Sequence, residues 1–355
     1  MLKNYKKIKD LGEGAQGKVI LATDKRLERK VAIKTLHKTL ITNDIQKQRF
    51  ISEAKQLSKC NHSSIVTLFD YIDDESGLHL IMEYVQGTPL DEYIEQISGP
   101  IHELRAIEIF TKILDAISYI HKKNIVHRDI KPSNIILDKD DNIKLLDFGI
   151  AKDNSIESNM TVINQGVGGT PMYMSPEHVE NKVISIKSDI YSLGVTLWQM
   201  LTGIPPYLNI PVGVVYKKIL TDKLSDIQDI YEHVSIMMNS IVHKATEKRP
   251  KDRYDSCDSF IRALSDLKKL IIEGKTSEEI LKTEFIKNID VKVINVNDAN
   301  IVINSSGCIG SELTYSGLPG KKVRITVQKD GFQKYVRQFI INEDKKISIN
   351  LIPNS

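Results

Sequence analysis

A glycine-rich run, Gly12-Glu13-Gly14-Ala15-Gln16-Gly17-Lys18-Val19, lies near the start of the chain between two apolar stretches. Glycine lets backbone N–H groups approach phosphate oxygens with no Cβ in the way. Taken alone, the pattern also suits a chance turn, or a dinucleotide-binding loop that opens a helix. A second apolar strand follows here rather than a helix, which argues against the dinucleotide reading. Seventeen residues beyond Gly17, Lys34 ends the run Val31-Ala32-Ile33-Lys34. A lysine that ends an apolar strand is either a surface charge or a cation at a buried edge, and a phosphate beside it would explain the second. Glu53 comes nineteen residues later, where it could pair with Lys34 and hold it. The most specific run is His127-Arg128-Asp129-Ile130-Lys131-Pro132-Ser133-Asn134, with Asp147-Phe148-Gly149 beginning thirteen residues past Asn134. In isolation, Asp129 or Asp147 would be read as a loop cap; their joint spacing with Asn134 points to a site.

The elements that must hold these residues change character along the chain. Short apolar runs at 19–22, 31–33, 65–69 and 78–82 predict strands. Between them, residues 44–59 carry Phe50, Ala54 and Leu57 at helical spacing, with Thr42 or Asn43 as a cap. From about residue 100 the period becomes helical: Leu104, Ile107, Phe110 (or Thr111), Leu114, Ile117 and Ile120 form one apolar stripe within 101–121. Further helices are predicted at about 186–202, 231–244 and 256–272. The expected fold class is therefore α+β, with a β-rich small lobe over about 1–85 and a helical large lobe over about 86–270. A Lys/Glu/Ser/Thr-rich linker is expected at 271–289. After it the period becomes two, at 301–303, 323–328 and 347–351, with glycines between. Residues 290–355 are thus expected to form a small all-β, sandwich-like module.

On these motifs the chain resembles the eukaryotic-type (Hanks-type) protein Ser/Thr kinases of bacterial kind, over about residues 5–270. The resemblance extends to Ser175-Pro176-Glu177, to Ser188-Asp189-Ile190-Tyr191-Ser192-Leu193-Gly194 and to Arg253. It implies a bilobed kinase fold and transfer of the ATP γ-phosphate, in which positioning and charge neutralisation do most of the work. In this reading Lys34 holds the α/β-phosphates and Glu53 fixes it. Asp147 and Asn134 supply hard oxygen ligands for Mg²⁺, with Mn²⁺ as a substitute. Asp129 accepts or orients the substrate hydroxyl proton, and Lys131 neutralises the γ-phosphate. Leu11, Gly12, Gly14 and Gly17 cover the nucleotide. Val19, Ala32 and Ile136 sandwich adenine, where plain core packing is the rival reading. Glu83 and Val85 meet adenine through their backbone, Met82 is the gatekeeper, and Asp91 touches the ribose. Asp189 anchors the catalytic loop and Glu177 pairs with Arg253, both in structural roles.

The run from Asp129 through Lys131-Pro132, and Gly169-Thr170-Pro171, resemble the Ser/Thr-specific type, with Thr170 facing Asp129. Arg128 before Asp129 resembles kinases that are switched on by phosphorylation of the segment between Asp147 and Glu177, since a phosphate pairs well with arginine. Thr161 is the expected acceptor, by autophosphorylation; the alternative is that the hydroxyls there serve only loop solubility. Two rival functions remain. One is a pseudokinase that binds nucleotide without catalysis, against which the intact Lys34, Glu53, Asp129, Asn134 and Asp147 argue. The other is a small-molecule phosphotransferase, against which Lys131-Pro132 and Pro176-Glu177 argue. Expected partners are ATP and protein substrates, and the resemblance allows a homodimer.

The tail resembles the PEGA-type β-module on Ala299-Asn300-Ile301-Val302-Ile303-Asn304, Gly310, Leu318-Pro319-Gly320 and Lys329-Asp330-Gly331-Phe332, although Val296-Asn297-Asp298-Ala299 stands where the name-giving tetrapeptide would be. It implies either a module that binds a ligand or protein, or a fold-stabilising appendage. At 355 residues, two to three compact units of about 100–200 residues are expected. With 41% hydrophobic and 27% charged residues, long disorder and collagen-like or low-complexity architecture are excluded. The net charge of +3 gives no argument for a nucleic-acid or membrane partner. It is uneven, however: residues 286–355 hold ten basic and six acidic residues, so the surplus belongs to the tail. That surplus is read as a solvated face, an acidic partner being the sharper alternative. Cys60, Cys257 and Cys308 form no CxxC pair, which excludes a zinc or redox framework of that kind. Residues 190–216 lack charge, but Gly203, Pro205, Pro206 and Pro211 interrupt the stretch before the roughly 20 apolar residues a span needs. No signal peptide is read at the basic start of the chain, so a cytoplasmic protein is expected.

Overall fold

In the computed structural model, residues 2–14, 17–37, 44–75, 77–146, 171–273, 287–304, 306–317, 322–340 and 345–354 are described. The chain divides into two units, Met1–Lys269 and Leu270–Ser355.

The first unit begins with a five-stranded antiparallel sheet, in the order β1-β2-β3-β5-β4. Its strands are β1 (Tyr5–Gly14), β2 (Gly17–Asp24), β3 (Arg29–Leu36), β4 (Leu68–Asp74) and β5 (Gly77–Glu83). Side chains alternate across a strand, and antiparallel partners share a face. Val31 and Ile33 therefore join Ala22, Ile72 and Ile81 in a buried cluster on one face. Ala32 and Lys34 lie on the other face, opposite Leu21, Val19, Met82 and Leu80. Helix α1 (Asp44–Leu57) follows β3.

The strand expected at 65–69 begins only at Leu68. The backbone of the preceding segment is used elsewhere: Val66 N donates to Leu145 O at 3.0 Å, and Leu145 N donates to Ser64 O at 2.8 Å. β1 escaped the periodicity reading because it is an exposed edge strand rich in lysine, with no apolar alternation to read.

A small sheet, β6 (Thr88–Pro89), β7 (Ile135–Leu137) and β8 (Ile143–Leu145), leads into the helical part. Helix α2 (Glu103–Lys122) buries the expected stripe from Ile107 onward, with Leu104 only half-buried, and Ala106, Ile109, Ile113 and Ala116 are also enclosed. Helix α3 (Pro176–Val179) is short. Helix α4 (Ile186–Thr202) is almost entirely buried. Ser185 and Ser188 form a capping box at its start, and Gly203 at φ 77° ends it in the left-handed conformation. Helix α5 (Val212–Thr221) is not among the expected helices; Pro211 sits at its N-cap, where no intrahelical donor is lost. Helix α6 (Ile236–Ala245) starts later than expected, where Ser235 Oγ accepts from Met238 N at 3.0 Å. Helix α7 (Cys257–Ile272) matches its predicted span within a residue.

The described β-structure of the second unit forms two sheets. One has the order β11-β10-β13-β14 and the other β12-β9-β15. The strands are β9 (Lys287–Val293), β10 (Ala299–Ile303), β11 (Ser306–Gly310), β12 (Glu312–Gly317), β13 (Lys322–Gln328), β14 (Tyr335–Ile340) and β15 (Lys345–Ile349). Alternate residues such as Val291, Ile301, Ile325 and Ile347 meet in one core. No helix among the described residues is long and apolar enough to cross a membrane.

Candidate active site

The face of the small-lobe sheet that carries Lys34 gathers most of the residues read as nucleotide-binding. Val19 pairs with Lys34, and Ala32 with Met82, so these four share one side. Gly12 pairs with Val19 on β1, one residue beyond Leu11. Lys34 is buried, with 3% of its surface exposed, and its Nζ lies 6.0 Å from the centre of the Phe50 ring on α1. A buried cation is therefore the reading that holds, not a surface charge, and it lies within β3, which runs on to Leu36. Position 53 is three residues from Phe50 on the same helix. The Glu53 side chain itself lies outside the described residues.

The three glycines of the loop stand in different surroundings. A Cβ on Gly17 would come within 2.0 Å of Thr35 O, so the close approach of β2 to β3 demands glycine there. A Cβ on Gly12 or Gly14 would meet nothing within 4 Å. Packing within the protein does not require glycine at those two positions, and a side chain there would fill the space over the strands' backbone. Such a cradle fits a phosphate chain. Gly17→Ala is expected to cost about 1–3 kcal/mol by overpacking, read as a lowered melting temperature, whereas Gly14→Ala should melt with the wild type. Equal melting of all three proteins would refute this division.

The second cluster lies in the loop between α2 and β7. Asn134, in a 3-10 turn that starts at Pro132, donates from Nδ2 to Asp129 O at 2.8 Å and to Asp129 Oδ2 at 3.0 Å. Lys131 Nζ is 3.3 Å from Asp129 Oδ2. With the nitrogen of Asn134 committed to Asp129, its amide oxygen is the atom suited to a hard cation. Among the described residues no group of three or more His, Cys, Asp or Glu is placed to hold a metal. Asp147, the expected second ligand, lies outside the described residues, as do Thr161 and Thr170.

The loop is held from below by α4. The Asp189 carboxylate accepts from His127 N at 2.8 Å, from Arg128 N at 2.9 Å and from His121 Nε2 at 2.8 Å. Arg128 adopts φ 68°, a left-handed conformation that is costly outside glycine and is sustained by this anchoring. Its Nε is buried with no hydrogen-bond partner among the described residues. Glu177 on α3 is bonded through both oxygens to Arg253, at 2.7 and 2.8 Å.

Glu83 ends β5, and Val85 follows it into the connection to the large lobe. Glu83 N donates to Thr67 O at 2.9 Å. Ile136 is half-buried on β7, opposite Pro89. Asp91 lies in a helical turn over Leu90–Glu92, and its Oδ1 is buried without a partner among the described residues. Asp91 also acts electrostatically on Tyr173, whose hydroxyl burial pushes far above its ordinary range.

Two residues escaped the sequence reading. A Cβ on Gly87 would meet Leu137 O at 2.5 Å, so glycine lets the connection run against β7; a lone glycine in a loop carries no signal of that kind. Lys144 on β8 bonds Glu83, and nothing in its own strand announces the contact.

Comparison with known proteins agrees with this geometry. Residues 5–270 match the protein kinase domain. The chain is 36% identical over 251 residues to the serine/threonine-protein kinase PknB of Mycolicibacterium smegmatis, covering 69% of this chain and 40% of that protein. It is 35% identical over 256 residues to the serine/threonine-protein kinase PrkC of Bacillus subtilis, covering 72% and 39%. The chain thus spans well under half the length of these relatives. A crystal structure of a mutant of the Mycobacterium tuberculosis PknI kinase domain aligns with TM-score 0.59 at 22% identity, over 74% of this chain and 95% of that one, a likeness of fold.

Proposed function

This chain belongs to the protein kinase domain family, and on that premise we propose that it is an ATP- and Mg²⁺-dependent protein serine/threonine kinase. The observation that carries the reading is the convergence of Lys131 and Asn134 on the Asp129 carboxylate, each within bonding distance of it. When bound, ATP with its divalent cation supplies the transferable phosphoryl group and the charge that neutralises it.

The chain's own residues do the rest. The backbone beside Gly12 and Gly14 lies against the phosphates, and Lys34 holds them from its buried place on β3, with Glu53 as its brace. The backbone of Glu83 and Val85 receives adenine, between Val19 and Ala32 on one side and Ile136 on the other. Met82 closes the back of that pocket, Leu11 covers it, and Asp91 is assigned to the ribose. Asn134 and Asp147 hold the cation. The carboxylate of Asp129 accepts the proton of a substrate serine or threonine hydroxyl. Lys131, tied to the same carboxylate, places positive charge beside the transferred group.

Residues 1–270 are assigned this work, residues 271–289 a linking role, and residues 290–355 the binding of a ligand or protein through a PEGA-type module. The three free cysteines suit a reducing, cytoplasmic setting.

Incubation with γ-labelled ATP and a generic protein substrate should label serine and threonine in the substrate. Nucleotide binding without transfer would instead make the chain a nucleotide-binding scaffold. In the same incubation mass spectrometry should find phosphate on Thr161, where Arg128, whose Nε has no partner among the described residues, is the proposed receiver. Unmodified Thr161 in a fully active preparation would remove that role.

A further inference from the structure

Glu83 and Lys144 come from the two lobes and meet behind the segment that joins them. Lys144 Nζ lies 2.8 Å from Glu83 Oε2, with both side chains mostly enclosed, at 22% and 29% exposure. The same oxygen accepts from Thr67 N at 3.2 Å, and Lys144 Nζ also donates to Ile65 O at 3.3 Å. Beside them Ile65 bridges Leu145, and Val66 N donates to Leu145 O. The end of β5, the segment before β4 and strand β8 are thus tied at one point. Glu83 and Lys144 line a cavity of about 340 Å³ together with Ser64, Tyr84, Lys112 and Asn142; Lys34, Asp129 and Asn134 are not among its walls.

We infer that Lys144 is a positioning residue for nucleotide binding, which fixes the adenine-facing backbone of Glu83 and Val85 by holding the Glu83 carboxylate on its far side. The physical case is one of order. Glu83 is the last residue of β5, and beyond it the chain leaves the sheet, so its ladder no longer sets the backbone. A charge-assisted bond in a partly enclosed place restrains the side chain that shares its Cα with that backbone. Nucleotide binding then need not supply the ordering of the segment, and that saving appears as affinity. Lys144 touches no reacting group in this arrangement, so the phosphoryl step should not depend on it. The inference rests on the kinase reading for its kinetic test, while nucleotide binding reads it independently.

Lys144→Met keeps the aliphatic stem and removes the charge. It is expected to raise KM for ATP, and the dissociation constant of a fluorescent ATP analogue, by about 3- to 10-fold, the size of a partly enclosed coupled pair. The value of kcat should stay within about twofold, since no interaction peculiar to the transition state is lost. Lys144→Arg should restore most of the affinity. Glu83→Gln should weaken binding of the fluorescent analogue as much as Lys144→Met does, and in that binding measurement the double variant should be no worse than either single one. Unchanged nucleotide affinity in Lys144→Met, a fall in kcat with KM unchanged, or full additivity of the two single variants would each overturn the inference. Should the wild type bind the analogue but transfer no phosphate, the kinase reading fails, and the binding constants alone decide the role of Lys144.

Discussion

Replacing Arg253 with alanine is expected to destabilise the first unit by about 3–5 kcal/mol, the cost of leaving one partner of a buried ion pair uncompensated. The pair is enclosed, with the Arg253 side chain at 0% and that of Glu177 at 6% exposure. All five guanidinium hydrogens have an acceptor. Two go to the Glu177 oxygens, and the others to Lys187 O, Glu247 O and Lys248 O. Ser188 Oγ adds a third bond to Glu177, at 2.7 Å. The change therefore strands a carboxylate and three backbone carbonyls together. Arg253→Lys should recover little, because a point charge with three donors cannot reproduce the fork.

The pH dependence has a definite sign. Burial pushes the Glu177 carboxyl up, but the bonds and charge of Arg253, with the Ser188 hydroxyl, outweigh it and hold the group below its ordinary value. A carboxyl held low in the fold contributes stability that is present above its unfolded value. That contribution is lost as pH falls through the ordinary carboxylate range and on through the folded value. Chemical denaturation across acid pH should show this loss in the wild type and its absence in Glu177→Gln. An Arg253→Ala protein within about 1 kcal/mol of the wild type at neutral pH, a typical single-substitution effect, would refute the account. If Arg253→Ala fails to fold, Arg253→Lys and Glu177→Gln carry the same comparison.

Asp129→Asn is expected to lower kcat for transfer to a protein hydroxyl by about 10²- to 10⁴-fold, the usual contribution of a positioned general base. The substitution is nearly isosteric. An asparagine Oδ1 can still accept from Asn134 Nδ2, and the backbone carbonyl of residue 129 keeps its own bond to that nitrogen. What is lost is the oxygen proposed to accept the substrate proton, and the negative charge beside Lys131. Because the loop is also anchored through His127 N and Arg128 N to Asp189, the variant should melt close to the wild type and keep its KM for ATP. A rate equal to the wild type's would remove Asp129 from the chemistry. A large fall in melting temperature together with activity would show that its work is structural.

The contrast between these two predictions separates what was readable from what was not. Asp129, Lys131 and Asn134 lie within six consecutive residues. A short loop brings its own side chains together, so their spacing already implied their meeting. Helix α4 matches the span predicted for it, and its capping box and terminal glycine are likewise set by neighbouring residues. The strands β2 and β3 announced themselves as apolar runs, but not which side of each faced what. Val31 and Ala32 are both apolar, and only the pairing with β5 shows that Ala32 shares a side with Lys34 while Val31 enters a separate core. The strand expected at 65–69 starts late because its first residues pair across the lobes, and helix α5 went unpredicted because the proline at its N-cap looks, in sequence, like an interruption.

The amino-acid order by itself thus determined the chemistry on offer: a glycine loop, a strand lysine, and an acid, a lysine and an amide in one turn of loop, followed by a separate β-rich tail. Only the tertiary structure decided that Gly17 is required by Thr35 O while Gly12 and Gly14 stand over open space. It also decided that Lys144 reaches Glu83 across 61 positions of chain, and that Arg253 spends every donor it has. Local spacing sets which groups a segment can offer. Which distant group answers them depends on strand register and on close packing between elements, and neither leaves a period in the sequence to read.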